Sequence, residues 1–442
     1  MSLAGDVAAG PFLLPLPGAG SARARLRSLQ ESARAIRSAG YVDLFVAQVA
    51  PLGVSFLLTL VSATLLGPER RGVLTFLMTG SLLCGALAYG SLHVPVVDGL
   101  RAGSSGNLRH GVRLVAGIWA LLTAVGAGLA FVARPASATA TADLSTGFLF
   151  GLVLVGGAMA VGQLFAGRVL QGLAENTRYV RVVVGQSVLY LVGTGGVLLT
   201  TRSPLLMFAA WYVSVLAGLA MAVGSLRTVL RERAPRAESS QSWRRFARSA
   251  TANNLGSIGQ MVMLRADVLV VGLVLGPVAT GVYGIALSLT ELALIAPEVF
   301  SLAVFGNRAR MDDRTWTAHV HRSIRSNLLV AAAAAGCIAL AAVVLVQGPL
   351  ASYRGLVPLV LIILPGVVLA GYTRIALSAL QALGATVPVW QFGVLALVLS
   401  LGFMPGAAVG VAGPAVVSSV AYGLTALFLH TQLRTRLAGT AR

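Results

Sequence analysis

One short phrase stands in this chain twice, about half its length apart. Leu66-Gly67-Pro68-Glu69-Arg70-Arg71-Gly72-Val73 returns as Leu275-Gly276-Pro277-Val278-Ala279-Thr280-Gly281-Val282, displaced by 209 positions. A second echo, Leu170-Gln171-Gly172-Leu173 and Leu380-Gln381-Ala382-Leu383, is displaced by 210. Each copy borders a long apolar run. Two echoes at nearly one offset point to a duplicated chain whose halves share a fold. In the first phrase glycine stops a helix, proline cannot continue it and the second glycine lets the chain turn back, which predicts a tight helical hairpin in each half. Both echoes read as architecture, not as a site.

The runs themselves place the chain in a membrane. Of its 442 residues 57% are apolar and 11% charged, too few polar side chains to cover a soluble surface. A span needs roughly twenty apolar residues. Twelve candidates follow one another at about 43–66, 73–97, 114–133, 147–167, 182–200, 205–226, 251–275, 281–305, 327–347, 356–380, 387–405 and 409–431. Pro51, Pro297, Pro365 and Pro414 fall inside them, as a helical bundle tolerates. The expected class is an all-α polytopic membrane protein: a basic amphipathic segment over 1–40, six spans over 41–226, a basic linker over 227–250, six spans over 251–433 and a tail over 434–442. Within the first segment, 21–38 predicts a helix lying on an anionic membrane surface. The stretch before it lacks the order of a signal peptide. Cys84 and Cys337 lie inside apolar runs and read as small core residues.

Charge gives the orientation. Every basic residue is an arginine, and with the N-terminus inside, 26 of the 33 fall in cytoplasmic segments against five in outer loops. That is a positive-inside distribution with both termini cytoplasmic. It accounts for the net charge of +19 without any nucleic-acid partner. Both halves start on the same side, so the repeat is parallel, about an axis along the membrane normal. The composition suits a bacterial plasma membrane.

Ionisable groups inside spans are costly unless they face protein or water, so each is a candidate for function. Counted from the outer turns, Asp267 lies roughly 13 Å deep, Arg265 roughly 16 Å and Glu291 roughly 15 Å, near the middle of a core about 30 Å thick. Arg265 and Asp267, two residues apart, do not share a helix face, so one is free to pair with Glu291 while the other faces a cavity. An arginine there suits a pyrophosphate; a purely bracing ion pair is the alternative. The equivalent first-half positions are Phe56, Leu58 and Leu82, so the halves differ in chemistry. Arg374, beside Tyr372, lies toward the cytoplasmic end of its span and suits a headgroup, or snorkels to the interface. Gln163 and Arg168 lie at a similar depth. Gln48 is a further cavity candidate or an interhelical hydrogen-bonding group. Glu298, Asp98 and His93 read as interfacial. No metal-ligand spacing, nucleotide loop or nucleophile arrangement occurs, so no metal, cofactor or enzymatic activity is expected.

Twelve spans in six plus six, the LGPxxxG turn in each half and Asp267 in the seventh span resemble the multidrug/oligosaccharidyl-lipid/polysaccharide flippase superfamily. Within it the chain is most similar to bacterial polysaccharide transporters, the O-antigen flippase-like proteins. The stretch Arg265-Ala266-Asp267-Val268-Leu269-Val270-Val271-Gly272-Leu273-Val274-Leu275-Gly276-Pro277, through Gly281-Val282-Tyr283, carries the resemblance, which covers about 41–433. It implies a V-shaped, MATE-like bundle of two lobes around a cavity. It also implies alternating-access export of an isoprenoid-pyrophosphate-linked oligosaccharide, with membrane lipids, a polysaccharide polymerase and glycosyltransferases as partners. Three readings compete. A cation-coupled multidrug exporter would use Asp267 and Glu291. A flippase for the peptidoglycan lipid precursor usually has two more helices. A membrane polymerase would need a large outer loop, and the longest here is about 134–146.

Overall fold

The structure, a computed structural model, describes residues 41–90, 92–101, 106–132, 145–173, 175–233, 243–308 and 311–440. The basic segment expected over 1–40 lies outside these residues. Everything described is helix, turn or short irregular connection. The first lobe holds α1 (Tyr41–Tyr89), α2 (His93–Arg101), α3 (Gly106–Val132), α4 (Thr146–Gly172), α5 (Asn176–Thr200) and α6 (Pro204–Arg233). The second holds α7 (Trp243–Thr290), a 3-10 turn over Glu291–Leu294 that leads into α8 (Ile295–Asn307), then α9 (Asp313–Gln347), α10 (Leu356–Ala382), α11 (Thr386–Ser400), α12 (Phe403–Ala407) and α13 (Ala412–Thr440).

Ten helical stretches among the described residues are long and apolar enough to cross a membrane. Two of them are double. In α1 the backbone leaves the helix at Gly67 (φ 73°, ψ 174°), and in α7 it does so at Gly276 (φ 83°, ψ −177°). A side chain resists that left-handed φ, and proline next in line supplies no N–H to continue the ladder. Each helix therefore doubles back, giving twelve crossings in six plus six, a multi-pass membrane protein. Exposed leucines and valines such as Leu121, Val192, Leu329 and Leu340 stud the outside of the bundle, as surfaces bathed in lipid require.

The duplication is visible in the fold. α4 and α10 are both 27 residues long, and Leu356 follows Thr146 by 210 positions. Their ends close with the same pair of bonds. Leu173 N–H donates to Val169 O at 3.0 Å and Glu175 N–H to Leu170 O at 3.0 Å; Leu383 N–H donates to Ala379 O at 3.1 Å and Ala385 N–H to Leu380 O at 2.9 Å. The Leu-Gln-(Gly/Ala)-Leu echo is thus a helix C-cap, with a six-to-one bond of Schellman type. N-caps are less uniform: Ser145 Oγ accepts from Phe148 N–H at 3.2 Å before α4, and Asp312 Oδ2 accepts from Thr315 N–H at 3.4 Å before α9.

One end of the bundle carries Gly67 and Gly276, the turn end; the other carries most of the arginines, the basic end. The second lobe packs around one core containing Tyr283, Trp316, Phe392 and the length of α10. The first has a cluster near the basic end around Phe165 and Phe246, and another near the turn end around Leu74, Leu77 and Trp211. Phe246 belongs to α7, whose remaining length lies in the second lobe. The linker expected over 227–250 is largely helix: α6 runs on to Arg233, and α7 begins at Trp243 with its first turn seated on the first lobe, where Trp243 and Phe246 stack against each other beside His110.

The lobes meet at the turn end. Gly72 and Gly281 lie directly against the backbones of Pro277 and Pro68, and Tyr353, in the α9–α10 connection, donates its hydroxyl to Ala63 O at 3.0 Å. Between that contact and the first turn of α7 a cavity separates the two lobes.

Candidate functional site

The space between the lobes is a cavity of about 490 Å³. Ser55 and Met78 line it from the two arms of α1. They stand twelve residues before and eleven after Gly67, roughly 16–18 Å along the helices from the turn, so the cavity lies at mid-membrane depth. Its two walls differ in chemistry. The first-lobe wall is neutral and hydrogen-bonding, with Gln163, Tyr179, Gln186, Ser187 and Tyr190, and a single charge, Arg168. The second-lobe wall is charged, with Arg265, Glu291, Glu298 and Arg374.

Arg265 and Glu291 form a two-pronged pair. Nη1 lies 2.9 Å from Oε1, and Nη2 donates to Oε2 at 3.2 Å. The paired side chains keep 32% and 20% of their surface exposed, so the pair is open to whatever enters. The second arm of α7 returns from Gly276 beside the first, and the turn that follows it brings Glu291 within reach of Arg265. Nearer the basic end Arg374 of α10 donates to Glu298 of α8. Across the cavity Gln163 Nε2 donates to Gln186 Oε1 at 2.7 Å, and Arg168 Nη1 to Gln171 Oε1 at 2.8 Å. The walls therefore present three guanidinium groups against two carboxylates, and Arg168 is bonded to an amide rather than an acid.

Of the residues singled out in the sequence, Arg265, Glu291, Arg374 and Gln163 come together on this cavity. The side chain of Gln48 lies outside the described residues. Asp267 is placed elsewhere. It is 1% exposed, inside the second lobe, where Oδ2 accepts from Tyr283 O–H at 2.7 Å and Oδ1 from Val268 N–H at 2.8 Å. The reason is the helix period: with Arg265 turned to the cavity, a residue two positions on points about 200° away, into the lobe. Glu298, read as interfacial, is instead a cavity residue. Its signal was available, since 291 and 298 are seven apart and so fall on one helical face. Gln186, Tyr179 and Tyr190 give no such signal, because the sequence does not say which face of α5 turns inward.

No family model and no curated relative matches the sequence. Solved structures do. A crystal structure of a MATE in the straight conformation is similar over 90% of this chain and 95% of its own, at 14% identity and TM-score 0.60. An outward-facing multidrug resistance MATE family transporter of the MOP superfamily is similar over 91% and 96%, at 14% identity and TM-score 0.58. A MOP superfamily transporter from Pyrococcus furiosus Vc1 (DSM3638), described as having a binding pocket of reverse polarity that suggests a different function, is similar over 91% and 96%, at 14% identity and TM-score 0.53. At these identities the likeness is one of fold. The chain has the two-lobed helical fold of MATE transporters of the MOP superfamily, as the resemblance implied.

Proposed function

We propose that this chain is a membrane transporter that moves an isoprenoid-pyrophosphate-linked oligosaccharide from the cytoplasmic to the outer leaflet by rocking its two lobes. The observation that carries the reading is the make-up of the cavity: three guanidinium groups to two carboxylates, with Arg265 at mid-membrane depth and Arg374 and Arg168 nearer the basic end, beside amides and hydroxyls. Arginines suit a pyrophosphate, whose oxygens accept paired N–H bonds. Gln163, Gln186 and Tyr179 suit sugar hydroxyls. In this reading the basic end is cytoplasmic, and the lobes, joined at the turn end, are open inward. The headgroup enters past Arg374 and Arg168 and displaces Glu291 from Arg265, while the lipid tail stays in the bilayer. An inside-negative potential favours outward movement of an anion by roughly 2.3 kcal/mol per charge per 100 mV. The setting is a bacterial plasma membrane, with glycosyltransferases and a polysaccharide polymerase as the proteins that supply and consume the cargo.

Glu291 and Glu298 support a second reading. Two carboxylates in the cavity of a fold shared with multidrug transporters could bind a coupling cation for export of a cationic compound. For the Pyrococcus protein a reversed pocket polarity is described as suggesting a different function; the cavity here holds three arginines to two glutamates.

The test is translocation of a fluorescent isoprenoid-pyrophosphate oligosaccharide in proteoliposomes, comparing the native chain with Arg265→Ala and the Arg265→Ala/Glu291→Ala pair. Movement that needs the protein and is lost in both variants, with folding intact, supports the flippase. No movement of the lipid, together with expulsion of a cationic dye under a sodium or proton gradient, would replace it with the exporter.

A further inference from the structure

Arg71 is a buried charge in the paired turns that the transport route above leaves unused. It lies in the first-half turn phrase, four residues after Gly67. Its second-half equivalent is Thr280, whose hydroxyl is occupied by Gly276 O at 2.8 Å. Arg71 is 7% exposed. Nη2 donates to Thr59 Oγ1 at 2.9 Å, while Nε is buried with no hydrogen-bond partner. Among the described residues no carboxylate stands within ion-pair distance. The groups that face it electrostatically are two phenols, Tyr190 from the first lobe and Tyr353 from the second.

That position joins the cavity to the gate. Tyr190 lines the cavity, with its hydroxyl on Met78 Sδ at 3.7 Å. Tyr353 ties the second lobe to Ala63 of the first. Arg71 therefore sits where the cavity ends and the lobes meet, on the first lobe. A desolvated guanidinium without a counter-ion is costly, and nothing in the closed arrangement neutralises this one. Opening of the turn end would carry Tyr353 away with the second lobe and leave Arg71, on α1, with the first.

We propose that Arg71 is an anion subsite at the turn end of the cavity that receives the pyrophosphate when the lobes part there. The inference rests on the pyrophosphate-lipid reading above. Counted along the helices from the turns, Arg265 is roughly 16 Å away and Arg71 roughly 6 Å, so the anion has two stations about 10 Å apart in depth, one on each lobe. The second half, with Thr280 at the matching place, has no such station. Loading is the work of Arg265, Arg374 and Arg168; release passes Arg71.

The experiment compares the native chain with Arg71→Gln, Arg71→Lys and Tyr353→Phe in proteoliposomes, using two probes: the fluorescent isoprenoid oligosaccharide as pyrophosphate and as monophosphate. Binding of the pyrophosphate probe to the protein in detergent is measured alongside. With Arg71→Gln, translocation of the pyrophosphate probe should fall at least tenfold while binding stays within twofold, and preference over the monophosphate should disappear. Arg71→Lys, which keeps the charge but not the planar fork, should fold normally and lose most of that preference. Tyr353→Phe should slow or speed both probes alike. The inference fails if either Arg71 variant moves the two probes with the native preference, or if Arg71→Gln acts like Tyr353→Phe on both. If the native protein moves neither probe, the proposed function falls and this subsite with it. If it moves the pyrophosphate probe and the Arg71 variants do so equally well, only the subsite falls.

Discussion

The Cα of Gly72 lies against the carbonyl of Pro277, so closely that a β-carbon built there would stand 1.7 Å from the oxygen. The same contact recurs with the halves exchanged: a β-carbon on Gly281 would stand 2.0 Å from Pro68 O. Since 281 is the repeat of 72 and 277 the repeat of 68, the pair is self-complementary, as contacts about a twofold axis must be. Each phrase therefore does two jobs. Its first glycine turns the chain, and its second admits the backbone of the other copy. What the sequence presents as two separate hairpins is one interface between the lobes.

Gly72→Ala and Gly281→Ala should force the turn ends apart. Overpacking of this kind costs about 1–3 kcal/mol, enough to shift a two-state equilibrium roughly tenfold. Spin labels at Arg70→Cys and Val278→Cys, both native side chains being exposed, report the separation once Cys84 and Cys337 are replaced by alanine. The expected result is a longer distance in either glycine variant. An unchanged distance distribution would mean that the contact does not hold the lobes.

Tyr353→Phe removes the hydroxyl bonded to Ala63 O. The loss should be about 1 kcal/mol of the closed state, seen as a lower melting temperature in detergent and a wider label distance. Burial pushes the Tyr353 phenol above the usual tyrosine range, against a smaller opposing effect of Arg71. A group whose folded pKa is raised contributes fully below its unfolded value, about 10, and loses that contribution only as pH rises through the higher folded value. The native–variant difference should thus be flat from about pH 6 to 9. A difference that shrinks within that range would contradict the assignment.

Glu291→Gln and Glu298→Gln should tighten binding of a pyrophosphate probe several-fold, because each frees a guanidinium that now competes with no carboxylate. Arg265→Gln should weaken it by tenfold or more, a charge-assisted bond being worth about 1.5–3 kcal/mol. Titration of the probe against detergent-solubilised protein decides this. Weaker binding in the glutamate variants would favour the cation-exporter reading.

Asp267→Ala should damage stability and leave binding alone. It leaves the Tyr283 hydroxyl buried without its partner, at a cost of about 1–3 kcal/mol. The melting temperature should fall, and the affinity for the pyrophosphate probe should remain within twofold of native. An affinity loss at full stability would put Asp267 back on the transport path.

Much of this molecule is legible in the sequence, because lipid leaves few options. With no water to satisfy backbone groups, apolar runs of span length must be helices. The glycine and proline of each turn phrase then fix where they double back, and the offset of 210 fixes that α4 and α10 are counterparts down to their capping bonds. Depth along a helix is also written in the sequence, which is why position alone puts Arg265 and Glu291 near mid-membrane and Gln163 and Arg374 nearer the cytoplasmic end. Rotation about the helix axis is not. That Arg265 faces the cavity while Asp267 faces Tyr283, that Glu298 meets Arg374 across two helices, and that Gly72 receives Pro277 all depend on how helices far apart in sequence pack. Those choices are made by the fit of helices within the second lobe and of the two turns against each other, a property of the assembled surfaces that no single segment carries.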